Sequence, residues 1–335
     1  MKVLHVGAKT YPPRHGGVER IVYEVADGMK GVESHFFVEE KVEADIGRNV
    51  TMLKKGLLLR FRQTRKYCRR EEIDIVHLHK EPLVPLAIML QLSGVRCVWT
   101  NHGCAWRLAR WAWFHRVAFW ILDYIGCLVL RRVVFVGEPD RRYFQKLLPF
   151  RRLYLISNGV SCYHDDRRER CGTMVYVGRL SPEKNILSLI EAADRAQVKV
   201  DLYGPFDRRD GGYRQEVMSK LRDSHYVQWN GAVSSDVVSG TLARYSCFVN
   251  PSFSEGLPVS VLEAAAEGLC LVLSDIEQHR VLRFPVCQYI NPNDIELGAI
   301  EVLACDGAQN REHVRTKYSK GQMVRAYYEM YSEMI

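Results

Sequence analysis

The chain has 335 residues, 47% of them hydrophobic and 26% charged, which is more than one ordinary core holds and enough for two α/β domains. The net charge of +8 is uneven: residues 1–165 carry 27 Lys and Arg against 16 Asp and Glu, and residues 166–335 carry 20 against 23. This composition excludes a disordered chain, and ten singly placed cysteines with no Cys-x-x-Cys exclude a zinc framework, while the basic half reads either as solvated surface or as facing an anionic partner.

The chain opens on KVLHVG (2–7), a buried strand and not the charged-then-apolar start of a signal peptide. A loop with Gly16 and Gly17 follows, then a helix near 17–30. DIVHLH (74–79) and VRCVWT (95–100) are strands, the second leading into a helical stretch that runs to about 131. VVFV (133–136) and LYLIS (153–157) close the first set. A second set has strands at 174–178, 198–204, 247–251 and 269–274 with helices between, and the chain ends in two helices broken near Lys320–Gly321. Such alternation predicts an α/β class: two Rossmann-like domains whose parallel sheets face a central cleft. The polar, turn-rich stretch 157–170 is the expected link, giving domains 1–157 and 158–310 with terminal helices 311–335. The longest apolar run, 117–130, contains Asp123 and is too short to span a bilayer. Unpaired cysteines point to a reducing, cytoplasmic compartment.

Ligands of open parallel sheets bind at the carboxyl ends of the strands, so the loops there carry the candidate chemistry. In PSFSEGLPVSVLEAAAEG (251–268), Pro258 is expected to begin a helix, with Glu255, Gly256 and Leu257 forming the turn in front of it. Free N–H groups and the positive helix end face outward there, which suits an anion. Glu263, in the second turn, leans back toward Glu255. Two carboxylates so placed accept hydrogen bonds from vicinal hydroxyls; they also read as a capping acid and a solvated helix acid. Arg179 and Lys184 in YVGRLSPEKN flank a turn and fit a diphosphate. Gly16 and Gly17 let backbone N–H groups approach a ligand, or make a plain turn, and no Gly-x-Gly-x-x-Gly dinucleotide motif is present. His102 follows a strand in TNHG, where histidines serve structure or hydrogen bonding.

With these residues in view, SEGLPVSVLEAAAEG resembles the paired-glutamate segment of retaining glycosyltransferases of the two-domain GT-B fold, the GT4 group. The likeness covers nearly the whole chain: VGAKTYPPRHGGVERIVYEVADGM, DIVHLH, TNHG, ISNGV and YVGRLSPEKN follow in family order. Departures are Ser157 in place of a proline, and Gly137–Glu138 where the family often has a serine. The resemblance implies transfer of a hexose from a nucleotide diphosphate sugar to an acceptor hydroxyl, with retention and no other cofactor. It implies catalytic roles for His102, Arg179, Lys184 and Glu255. Arg179 and Lys184 would hold the departing diphosphate, Glu263 the ribose, and Glu255 would lie by the sugar with Gly256 and Leu257. The Gly16–Gly17 loop would meet donor phosphate or acceptor, and the last helix would cross back to the first domain. No Asp-x-Asp metal motif is evident, so the two cations are expected to act in place of a metal. A non-catalytic nucleotide-sugar sensor, a membrane-binding module and an epimerase on the same fold stay open.

Trp106, Trp113 and Trp120 recur at seven-residue spacing, which predicts one helix face, with Arg107, Arg110 and Arg116 close by. That face reads as core or as a membrane interface; the basic stretch LRFRQTRKYCRR (59–70) supports the latter, which an anionic phospholipid or polyprenyl-phosphate acceptor would fit, while a soluble sugar or protein acceptor stays open. Nothing in the pattern calls for nucleic acid. A membrane acceptor would place the chain at the inner face of the membrane.

Overall fold

In the computed structural model, which describes residues 1–11, 13, 16–40, 49–108, 111–162, 171–207, 210–234, 236–298 and 306–335, β1 (Lys2–Ala8) is buried from Val3 to Ala8. Unbroken burial is what a central strand covered on both faces requires. After it come α1 (Gly17–Gly28), β2 (Glu33–Val38), β3 (Asn49–Met52), α2 (Leu57–Glu71), β4 (Ile75–His79), α3 (Val84–Leu92), β5 (Cys97–Asn101), α4 (Trp113–Val129), β6 (Val133–Phe135), α5 (Glu138–Leu147) and β7 (Tyr154–Leu155). The strands form one parallel sheet in the order β3-β2-β1-β4-β5-β6-β7. Right-handed crossovers put α2, α3 and α4 on one face and α1 on the other. Trp99, Leu86, Leu90, Cys127 and Phe144 fill the core under the first face; Val22, Ala26 and Phe36 fill the second. Gly126 lets α4 lie close to the sheet, because a Cβ there would come 2.9 Å from the Trp99 ring.

The second sheet is built from β8 (Cys171–Val177), α6 (Ile186–Ala196), β9 (Val200–Tyr203), α7 (Gly211–Asp223), β10 (Val227–Trp229), α8 (Val238–Leu242), β11 (Tyr245–Asn250), α9 (Val259–Ala266), β12 (Cys270–Ser274), α10 (Glu277–Arg280) and β13 (Cys287–Ile290). Its order is β10-β9-β8-β11-β12-β13, again all parallel. Two α/β Rossmann-like sheets are thus present, as the strand-helix alternation predicts. Two helices close the chain, α11 (Ala308–Lys317) and α12 (Lys320–Ser332). The chain divides into two units, Met1–Gly159 with Lys320–Ile335, and Val160–Ser319. In the first, α12 lies against α1: Lys320 pairs with Glu24, and Val324 packs over Gly28.

Two local readings are corrected. Pro258 is the residue before α9 rather than its first: its ψ of 107° is extended, and helical geometry starts at Val259. Trp106, Trp113 and Trp120 do not form one stripe on one helix. Trp106 sits in a separate 3-10 turn at Ala105–Arg107. Trp120 packs against the core and donates to Tyr143 Oη at 3.0 Å. Trp113 is 75% exposed. The helix begins only at Trp113, and its first turns are exposed on all sides. Arg110 and residues 163–170 of the expected link lie outside the described residues.

Candidate active site

In the second sheet, β8 and β11 are neighbours whose chains leave in opposite directions, β8 toward β9 and β11 toward β12. Ligands of open α/β sheets bind at such a reversal, beyond the carboxyl ends of the strands. The two loops that start there carry Lys184 and Glu255. Lys184 ends a 3-10 turn at Pro182–Lys184, and Asn185 takes a left-handed φ of 59°. Asn185 Nδ2 is anchored to the carbonyls of Pro251 and Pro292 at 3.3 and 2.7 Å. Phe253 N–H donates to the Glu183 carbonyl at 3.0 Å. These bonds lock the Lys184 turn to the β11 loop.

Lys184 Nζ lies 2.5 Å from Glu255 Oε1. Glu255 also accepts from Ser252 Oγ at 2.7 Å and Asn250 Nδ2 at 3.2 Å. Burial pushes the Glu255 carboxyl up, but the charges of Lys184 and His279 and the bonds from Lys184 and Ser252 outweigh it and hold it below the usual range. The Glu255 side chain is 7% exposed and that of Lys184 21%. The lysine therefore presents a fixed cation, oriented from beneath, in front of the N-terminal end of α9. Behind it, Ser274 Oγ donates to the Ser252 carbonyl at 2.5 Å, and His279 Nδ1 lies 2.9 Å from the Ser274 carbonyl. Asn250, Ser252, Ser274 and His279 escaped the sequence reading. The polar run after the strand, NPSFS, was the available signal for the first two.

Arg179 is set apart from this pair. Its side chain is 44% exposed, and its guanidinium donates to Asp207 Oδ2 at 3.3 Å. Its loop touches the β9 loop: Gly204 has φ +141° and its N–H donates to the Gly231 carbonyl at 2.8 Å, while a Cβ on Gly204 would fall 1.8 Å from the Gly178 carbonyl oxygen. Gly256 and Leu257 lie in the turn ahead of α9. Glu263 is half-buried in the helix's second turn. Of the four charged groups read from the sequence, Lys184 and Glu255 are joined directly.

The first sheet reverses between β1 and β4. Gly16 and Gly17 stand at the start of α1, after β1, with Gly16 at φ +95°. Three buried histidines, His5, His77 and His79, and the half-buried His102 lie by this reversal. His5 pairs in register with His77. His5 Nδ1 is 3.4 Å from His79 Nε2, and His79 Nδ1 is 3.1 Å from His102 Nε2. Burial lowers His5 and His102 to about 3 and drives His77 and His79 well down, so all four are neutral at pH 7. Neutral His102 can donate or accept a hydrogen bond, and its Nδ1 has no partner among the described residues. His77 is structural: Tyr331 Oη of α12 and Thr100 Oγ1 occupy its nitrogens at 2.6 and 2.7 Å. The nitrogens of His5, His77 and His79 lie within 4.8 Å of one another. Those of His77 and His79 are all engaged by other side chains, so the set serves hydrogen bonding rather than ligation.

A group of buried acids supports the loop that carries His102. Glu81 Oε1 accepts from Ala105 N–H at 3.2 Å, and Arg107 Nε lies 2.9 Å from Asp140 Oδ1. Asp123, on α4, is fully buried. Among the described residues its oxygens meet no donor at full hydrogen-bond geometry, with the Cys104 and Asn101 side chains beside them. Burial, reinforced by Glu81, raises its carboxyl to about 9, so it is protonated at pH 7.

Comparison with known proteins is consistent with this geometry. Residues 15–163 match the family model described as Glycosyltransferase Family 4, and residues 172–302 match that described as Glycosyl transferases group 1. The chain is 27% identical to the GDP-mannose:cellobiosyl-diphosphopolyprenol alpha-mannosyltransferase of Xanthomonas oryzae, over 91% of this chain and 87% of that one. It is also 27% identical to the UDP-Gal:alpha-D-GlcNAc-diphosphoundecaprenol alpha-1,3-galactosyltransferase of Escherichia coli, over 70% of this chain and 66% of that one. Among solved structures, sucrose-phosphate synthase from Thermosynechococcus elongatus superposes with a TM-score of 0.85 at 14% identity, covering 99% and 98% of the two chains. Anabaena Alr3699/HepE in complex with UDP-glucose does so at 0.81 and 14% identity, covering 99% and 100%.

Proposed function

Because the chain is a family 4, group 1 glycosyltransferase built on the GT-B fold, we propose that it moves a hexose from a nucleotide diphosphate sugar to a hydroxyl of a diphosphopolyprenol-linked acceptor, with retention and without a metal. The observation that carries this is the Lys184–Glu255 contact at the reversal of the second sheet. There the lysine meets the donor diphosphate beside the N–H groups of the α9 end. Its charge stabilises the phosphate as the glycosidic bond lengthens, and Arg179 adds a second cation on release from Asp207. Glu255 fixes the lysine's position and, with Glu263, offers acceptors to sugar or ribose hydroxyls.

Neutral His102, held by His79, donates or accepts a hydrogen bond to the sugar. The Gly16–Gly17 loop meets the donor phosphate or the acceptor. The unit Met1–Gly159 with Lys320–Ile335 serves as the acceptor half and Val160–Ser319 as the donor half. Retention is supported by the α products in the relatives' names, since α product from an α-linked nucleotide sugar keeps configuration. The acceptor resides in a membrane, so the enzyme works at the cytoplasmic face as a peripheral protein.

Thermal-shift screening with UDP-, GDP-, ADP- and dTDP-sugars identifies the donor. Transfer from it to a diphosphopolyprenol-linked sugar is then measured for wild type and Lys184→Ala. A loss of about 100-fold or more in the variant is expected. No binder in the panel, or a variant as fast as wild type, would refute the reading. Binding without transfer in the wild type would make the protein a sensor.

A further inference from the structure

We propose that the face formed by α2, α3 and α4 in the N-terminal unit docks on an anionic lipid bilayer, α4 setting its outward apolar stripe among the acyl chains and α2 its cations among the headgroups. This names the membrane surface that the acceptor reading requires, and it stands on features outside the catalytic loops.

On α4, Trp113, Phe114, Val117, Ile121, Ile125 and Leu128 are 38–75% exposed. They recur every three or four residues, so they line one side of the helix, about 23 Å long. The other side carries Asp123, Gly126 and Cys127 and faces the core. A stripe of this length with Trp and Phe at one end exceeds the scattered apolar exposure normal on a soluble surface. No helix among the described residues is long and apolar enough to cross a membrane. A helix apolar on its outer side and anchored on its inner side instead lies flat in the interface.

The charge comes from α2, whose sequence LLLRFRQTRKYCRRE holds six Lys or Arg and a single acid at its end. Arg62, Arg65, Lys66, Arg69 and Arg70 line one surface hollow with Phe61. Arg70 pairs with Glu71 at 2.6 Å; the other four make no ion pair with a described residue. Leu57, Leu58 and Leu59 at the start of α2 are exposed as well, at 41, 64 and 51%. Helix α3 packs against both α2 and α4, and its last residue, Leu92, is 77% exposed. The cations and the apolar stripe therefore lie on one face, about two helix spacings apart. Unpaired cations beside an unpaired apolar stripe match a surface that is negative outside and apolar within, and a bilayer carrying anionic lipid is such a surface.

The test is co-sedimentation with vesicles of phosphatidylcholine alone and of an equal mixture with phosphatidylglycerol, at low and high salt, with no acceptor lipid present. Wild type is expected on the mixed vesicles at low salt and largely free of them at high salt. Trp113→Ser with Phe114→Ser, and separately Arg62→Glu with Lys66→Glu and Arg69→Glu, are each expected to weaken binding about tenfold or more. All these positions are exposed, and circular dichroism melts confirm that the variants fold. Wild type that ignores the mixed vesicles, or variants that bind as it does, would overturn the proposal. So would a dimer that the Trp113 and Phe114 changes dissociate without any vesicle binding, because the stripe would then be a contact between copies. Nucleotide-sugar thermal shifts on the same proteins separate the two readings: vesicle binding without a donor shift sinks the catalytic reading and leaves this one standing.

Discussion

Replacing Asp123 by Asn tests whether the folded core holds this carboxyl with its proton. In the unfolded chain an aspartate ionises near pH 4. In the folded protein burial and Glu81 raise this carboxyl to about 9. Between those values the folded state binds one proton more than the unfolded state, so stability falls as pH rises, by about 1.4 kcal/mol per unit. From pH 6 to pH 8 the wild type should lose about 3 kcal/mol from this group alone. Asparagine keeps the shape of the protonated acid and does not titrate. The stability difference between Asp123→Asn and wild type should therefore widen by about 3 kcal/mol from pH 6 to pH 8, or roughly 6–12 °C in melting temperature. Calorimetry or circular dichroism on both proteins at both pH values, in matched ionic strength, measures it. Equal differences at pH 6 and pH 8 would show that Asp123 is ionised in the folded state and would refute the argument.

The histidines tilt stability the other way. Their folded values are lowered, so below pH about 6.5 the unfolded chain takes up protons that the folded chain refuses. Each then costs about 1.4 kcal/mol per pH unit, and the denaturation midpoint should drop steeply between pH 6.5 and 5.5; a flat midpoint would contradict their neutral burial. In the second unit, Gly204→Ala should destabilise by about 3 kcal/mol or more, because the added Cβ meets the Gly178 carbonyl at a backbone angle few L residues adopt. Urea unfolding checks this, and a variant as stable as wild type would show that the two loops can part freely.

The central strands were readable because β1, β4, β5, β11 and β12 are nearly unbroken apolar runs, as burial on both faces demands. The strands β3, β10 and β13, at sheet edges and half-exposed, mix polar and apolar residues and left no period to find. Within the site, Lys184 and Glu255 were legible as residue types in motifs. Their contact spans 71 residues and arises only because β8 and β11 pair. The Asp207 partner of Arg179 and the packing of His5 on His77 and His79 come likewise from sheet register, which no local spacing encodes. The aromatic helix misled in a specific way: seven-residue spacing puts Trp113 and Trp120 at nearly one angle, but the sheet backs only the second.

The return of α12 to the N-terminal unit bears on how the polypeptide is made. Tyr327 and Tyr331 lodge beside Thr100 and His77, more than two hundred residues earlier in the chain. A ribosome delivers them after both sheets. Residues 1–159 must therefore wait, with this seat unfilled, while 160–319 are synthesised and free to fold. Nascent chains halted before residue 320 should hold a protease-resistant second half and a vulnerable first.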